Sequence, residues 1–340
     1  MERFSGFYTS RPFWAGKKLD FPYHGRVAPQ TFHDMMSTLE YEKHENDITL
    51  RVYKDGQILL RIQSLEDQEE KHRDKNTIDI AQLIARAKIY INYLNCFYLF
   101  LDSATITIDK FSYFNFREIT THDIFRISFT QGKFSSNGIP TESITSHFLN
   151  GRYLSDYNHP HSLESDSRIT FRSEISLEAI DCAATKLFDV FSKDGSIRHF
   201  TSIAKSIGEY KIGNYDTSII LAWFAIESII NELWENHIGS LNTTSMNHRP
   251  RISSERKKAL TGSSFEASKI IQMLELFGIL SFDTFEKLKT VRQNRNNIAH
   301  IQKIALTAEK AGEAISAAQE MIFLLWGIEF TPNLNYSISN

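Results

Sequence analysis

The sequence predicts an α+β domain followed by an all-α, antiparallel helical bundle. Three observations point there. Strict alternation of apolar side chains occurs only in the first half, most clearly in ITLRVYKDGQILLRI at 48–62. From Leu177 to Ile328 helical periods dominate and no convincing strand is visible. The chain has 340 residues, enough for two domains of the usual ~100–200 residues each. The expected organisation is an α+β domain over 1–170, a bundle over 175–330 and a tail over 331–340. The boundary is expected between 165 and 180.

Taken in order, residues 1–45 show no clear period. In 48–62, Ile48, Leu50 and Val52 alternate with polar residues, Asp55-Gly56 supplies a tight turn, and Ile58, Leu60 and Ile62 resume the alternation. That pattern predicts a β-hairpin. The mixed charge run Glu66–Lys75 reads as a solvated loop or helix end. Residues 78–102 read as one long helix, apolar nearly all round in its second half. Its aromatic run from Tyr90 to Phe100 reads as core. Residues 104–108 (ATITI) and 124–130 (IFRISFT) are β-rich. Gln131–Asp166 is rich in Ser, Asn, Gly and His and reads mainly as loop. Helices are then expected near 176–193, 196–209, 215–237, 265–278, 282–300 and 306–327. The loop Gly239–Arg256 separates the third from the fourth.

Composition narrows the function classes. With 38 Lys+Arg against 41 Asp+Glu the formal charge is -3, which excludes a globally basic nucleic-acid coat but leaves room for a local patch. Only Cys96 and Cys182 are present, so a disulfide scaffold and a cysteine-rich zinc site are excluded. Two scattered thiols fit a reducing cytosol. The N-terminal stretch lacks a signal-peptide core. The apolar run Ile89–Leu101 is too short to span a bilayer, and Ile219–Trp234 carries Glu227 and Asn231. Both read as buried helices of a cytoplasmic protein with no membrane partner. Neither a phosphate-binding glycine loop nor a nucleophile elbow is present. His159 and His161 lie close together but lack identifiable further metal ligands, and no metal or cofactor is expected. His44, His72, His122 and His199 read as surface residues.

The informative segment is DTFEKLKTVRQNRNNIAH, Asp283–His300. Asp283 and Glu286 have capping-box spacing. At about 100° per residue, Arg295 falls on the apolar stripe between Leu288 and Val291, while Asn296 and His300 lie together to one side. A guanidinium cannot neutralise itself, so on a core-facing stripe it needs an anion or several acceptors. Arg292 is a second basic residue close by. The internal candidate is Glu227, the lone acid in the apolar helix SIILAWFAIESIINELW, and a Glu227–Arg295 contact is expected. A salt bridge that only specifies the fold is the competing reading. Histidine as a residue type titrates near neutral pH, which makes His300 the candidate for proton transfer. Arginine, histidine and an amide suffice to cleave RNA without a metal. The base takes the 2′-hydroxyl proton, that oxygen attacks the adjacent phosphate, and the guanidinium stabilises the growing charge.

The segment RNNIAH resembles the signature of HEPN domains (higher eukaryotes and prokaryotes nucleotide-binding), an Arg, four to six residues, then a His, with a polar residue after the Arg. Arg295, Asn296 and His300 match it position by position. The preceding helix with AWFAIES, and its separation from RNNIAH, are also similar to that family. The resemblance covers roughly residues 180–328 and none of the N-terminal half. It implies a metal-independent endoribonuclease whose two motifs meet across a homodimer, in an anti-phage defence, abortive-infection or toxin–antitoxin setting. Arg295 would stabilise the transition state and His300 act as base or acid. Asn296 would orient substrate or His300, and Glu227 position Arg295. An antitoxin or trigger protein would act through the N-terminal domain. Some members of the family are inactive, so a non-catalytic nucleotide- or RNA-binding or dimerisation module is the alternative.

The segment HRPRISSERKK carries Arg249, Arg251, Arg256, Lys257 and Lys258 against the single acid Glu255. Such a patch would track an RNA backbone near the motif, with Arg292.

Overall fold

The computed structural model describes residues 1–19, 34, 36–73, 80–138, 172–243, 250–261, 265–300 and 307–335. The chain divides into an N-terminal α/β unit and a C-terminal helical unit. The first comprises Met1–Ser192 with Phe330–Asn340, the second Lys193–Glu329.

In the first unit, β1 (Glu2–Phe7), β3 (Leu39–Glu45), β4 (Ile48–Tyr53), β5 (Ile58–Ile62), β6 (Phe125–Thr130) and β7 (Lys133–Gly138) form one sheet in the order β3-β4-β5-β1-β6-β7. All neighbours run antiparallel, with Ser5 opposite Leu60 on one side and Arg126 on the other. The hairpin expected over 48–62 is β4 and β5. Gly56 turns it at φ +81°, and a Cβ there would lie 2.8 Å from the Phe13 carbonyl oxygen. Short strands β2 (Phe13–Ala15) and β8 (Ser173–Ile175) pair in parallel. The strand β1 shows no alternation in the sequence because Arg3 to Phe7 are all buried, so neither face needs to be polar. Phe7 meets Tyr98 on one face, and Phe4, Tyr8, Leu59 and Phe125 belong to a core cluster with Ile127.

The helices α1 (Gln63–Arg73) and α2 (Ile80–Thr107) follow the hairpin, and α3 (Leu177–Ser192) follows β8. Two expectations are corrected here. Residues 104–107 are helical, not strand. Thr105 and Thr107 spend their hydroxyls on the carbonyls of Asp102 (2.8 Å) and Ser103 (3.1 Å), which lets β-branched residues finish a buried helix. The charge run forms the later part of α1, with Asp67, Gln68 and Glu70 exposed, but Glu66 within it is not solvated. Glu66 is buried, accepting from Tyr90 Oη at 2.6 Å and Arg126 at 2.5 Å.

The boundary is also corrected, to Ser192/Lys193. Helix α3 packs on α2, with Tyr93 and Phe191 rings stacked at 3.7 Å. Its amphipathic period is the same whether it serves a bundle or a sheet-covering layer. The expected tail is partly structural. Phe330 meets Phe100, Thr331 N donates to Ser103 Oγ at 2.7 Å, and Asn333 Nδ2 donates to the Phe114 carbonyl at 2.9 Å.

In the second unit, α4 (Ser196–Lys211) and α5 (Tyr215–Ser240) form an antiparallel hairpin through Gly213, at φ +81°. Opposed pairs His199–Glu232 and Ser206–Ser218 fix its register. Then come α6 (Ser254–Thr261), α7 (Ala267–Leu276), α8 (Phe282–Ala299) and α9 (Ala308–Trp326). Helix α5 is central and packs against α4, α7, α8 and α9. That explains why it is apolar nearly all round. By length and composition alone α5 could cross a bilayer, at mean hydropathy 1.2, but half of that window is buried inside the unit. A soluble protein's core helix has the same profile.

Candidate functional site

Helix α8 starts at Ser281, whose Oγ accepts from Thr284 N at 3.1 Å, rather than at the expected Asp283–Glu286 box. Ser281 sits in extended backbone directly before the helix, the geometry a cap requires. The buried line of α8 runs through Thr284, Leu288 and Val291, with Asn294 beside it. Arg295 continues that line and is half-buried. Its Nη1 donates to Asn296 Oδ1 at 3.1 Å. Among the described residues no carboxylate lies within ion-pair distance of Arg295 or Arg292.

The expected Glu227–Arg295 contact is therefore not formed. Glu227 lies on the outer stripe of α5 with Ile220, Leu221, Phe224, Ser228 and Asn231, all half-buried or exposed. It accepts from Trp223 Nε1, one turn earlier, at 3.1 Å. Partial hydration and a local donor remove its need for a cation. Helices α5 and α8 do pack together, so both residues belong to one packed pair of helices.

His300 caps α8, its backbone N–H reaching Asn296 O at 3.0 Å. Its imidazole is exposed and makes no side-chain hydrogen bond to another described residue.

The basic segment is not next to this motif. Arg249 lies outside the described residues, as do His159 and His161. Arg251, Arg256, Lys257 and Lys258 are exposed on and just before α6. The helix α6 hangs from Trp234 on α5, whose Nε1 donates to Leu260 O at 2.8 Å. Phe277, shortly before α8, packs 4.6 Å from His237 near the C-terminal end of α5. The basic helix thus lies at the N-terminal end of α8, and from Phe282 to Arg295 that helix rises about 20 Å.

His199 is a second correction. It is 1% exposed, between Arg198 and Glu232, with Nε2 3.4 Å from Glu232 Oε2. Burial, and then Arg198, hold its pKa below the ordinary value against the pull of Glu232. Its position at helical spacing with Phe200, Ile203 and Ile207 was the available signal. Among the described residues no cluster of three or more His, Cys, Asp or Glu could hold a metal.

No family model, curated protein or solved structure matches this chain.

Proposed function

We propose that the C-terminal unit is a HEPN-like bundle acting as a metal-independent endoribonuclease. One observation carries the reading. Arg295 is half-buried on the core line of α8, yet its only described side-chain partner is the neutral amide of Asn296. A guanidinium so placed has its charge available for a phosphate. Arg292, also without a carboxylate partner among the described residues, adds to the field. His300, at the end of the same helix, takes the 2′-hydroxyl proton. The 2′-oxygen then attacks phosphorus, the bond to the 5′-oxygen breaks, and that oxygen leaves with a proton from a second imidazole. The products are a 2′,3′-cyclic phosphate and a free 5′-hydroxyl.

The second imidazole comes from a second copy. The outer stripe of α5 supplies a face for it, since Phe224 is 49% exposed one turn from Glu227. Glu227 then positions the catalytic groups in the dimer rather than pairing with Arg295 within one chain. The N-terminal unit serves as the sensing part. It contains a cavity of about 650 Å³ lined by Glu40, Lys54, Asp109, Phe111 and Glu174 among others. Cytoplasmic action in phage defence, held in check by an antitoxin or released by a trigger, fits this reading.

Purified protein incubated with a mixed RNA pool and EDTA should produce cyclic-phosphate ends. His300→Ala should lower the rate by about 10²–10⁴-fold, and Phe224→Glu should yield an inactive monomer. Cleavage that needs a divalent metal, or survives in His300→Ala, removes the mechanism. A non-catalytic binding module is the second reading, favoured by the lack of an orienting partner for the His300 ring among the described residues. RNA binding without cleavage, with the dimer intact, would select it.

A further inference from the structure

We infer that the end of the helical unit remote from Arg295 is a seat for single-stranded RNA, with the backbone on α6 and bases on the rings of the 276–282 turn. The inference takes its polymer class from the ribonuclease reading and its location from independent features. Helix α6 buries none of its residues. Arg251, Arg256, Lys257 and Lys258 are exposed, and among the described residues none has a carboxylate within ion-pair distance. Cations that neither pack nor pair contribute little to the fold and are available to a polyanion.

The same end displays bare apolar surface. Leu276, Phe277 and Phe282 are 74%, 48% and 64% exposed, at a turn where Gly278 adopts φ +70°. Trp234 joins the two features. Its Nε1 holds α6 through Leu260 O, its ring stacks on Phe265 at 5.4 Å, and Phe277 lies 6.2 Å away. Phe277 is thereby fixed beside the basic helix, and Phe282 follows five residues on, its ring 6.0 Å from Phe285.

Charge decides between occupants. Glu275 and Asp283 flank the exposed rings, so this turn is poorly suited to enter an anionic lipid surface. A polymer with phosphates on one edge and π faces on the other satisfies both halves. Its phosphates meet α6 and its bases meet the rings, away from the two acids. Duplex RNA keeps its bases stacked inside and cannot use the rings. The seat stands about 20 Å from Arg295 along α8, so it would anchor a strand several nucleotides from the scissile bond.

The test uses full-length wild-type protein and a fluorescein-labelled 2′-O-methyl single strand, which binds but cannot be cleaved through its 2′-oxygen. Anisotropy titrations should show Lys257→Gln/Lys258→Gln lowering the salt slope of log K by about 1.4. Phe282→Ala should weaken binding at least about 5-fold, while Phe282→Tyr retains it. Wild-type affinity in both the lysine and alanine variants overturns the seat and leaves the ribonuclease reading standing. So does equal affinity for a matched duplex, or binding only to phosphatidylserine vesicles or an acidic peptide. Loss of binding in these variants, in a protein that cleaves no RNA, upholds the seat and removes the ribonuclease.

Discussion

Arg295 and Glu227 each meet a neighbour on their own helix, Asn296 and Trp223. A buried ion pair broken by removing one partner costs about 3–5 kcal/mol. No such pair exists within the described chain, so Glu227→Gln should change the stability of a monomeric preparation by less than about 1 kcal/mol. A larger loss in urea melts would place the pair back in the single chain. His199 makes a signed pH prediction. Its folded pKa lies below the ordinary 6.5, so the unfolded chain binds the extra proton. Its contribution is fully present above about pH 6.5 and is lost as the pH falls below that. Melting of wild type against His199→Gln should show the difference shrinking from pH 7.5 to 5.5, and a constant difference would contradict the assignment. The arginine and histidine of the motif were legible by type and spacing. The burial of His199 was legible only through its spacing from Ile203 and Ile207, which puts it on the apolar stripe of α4, and residue type alone pointed the other way.

At the scale of elements, the inward side of α1 was missed because charge density alone does not say which way a helix faces. Glu66 and Glu69 point inward and hold Arg126, and Glu69 also pairs with Arg86. Tyr90 closes the group, and burial, then Glu66, push its hydroxyl pKa up, so it stays a donor. Glu66→Ala leaves the partly buried Arg126 with Glu69 alone and takes the acceptor from the buried Tyr90 hydroxyl, and should destabilise the N-terminal unit by about 1–3 kcal/mol. Denaturant unfolding checks this, and a cost near zero would mean the cluster is hydrated. The hairpin β4–β5 was legible because one strand face differs from the other and Asp-Gly marks the turn. Strands β1 and β3 were not. In β1 both faces are covered, while β3 is largely exposed, with burial that never settles into alternation.

For the whole molecule, the chain leaves the N-terminal unit at Ser192 and re-enters it at Phe330. The helical unit is thus an insertion between α3 and the C-terminal segment. Truncation after Glu329 removes the bonds of Thr331 and Asn333 to Ser103 and Phe114. It should lower the melting temperature of the N-terminal unit and spare the helical one. Hydrogen exchange resolves the two, and uniform loosening would refute the insertion. If the N-terminal unit senses a trigger, as proposed, both of its covalent connections to the helical unit are available to transmit the change.

By itself the sequence determined the two-part composition, the hairpin, most of the helices and the Arg295–Asn296–His300 spacing, because each is a local period or pattern along the chain. Tertiary structure decided that α3 and the C-terminal segment serve the sheet. It also decided that Glu66 and His199 turn inward, that Glu227 faces outward, and that the basic helix sits about 20 Å from the motif. Those outcomes depend on which surface each element meets, and a one-dimensional pattern carries the amphipathic face but not the identity of its partner.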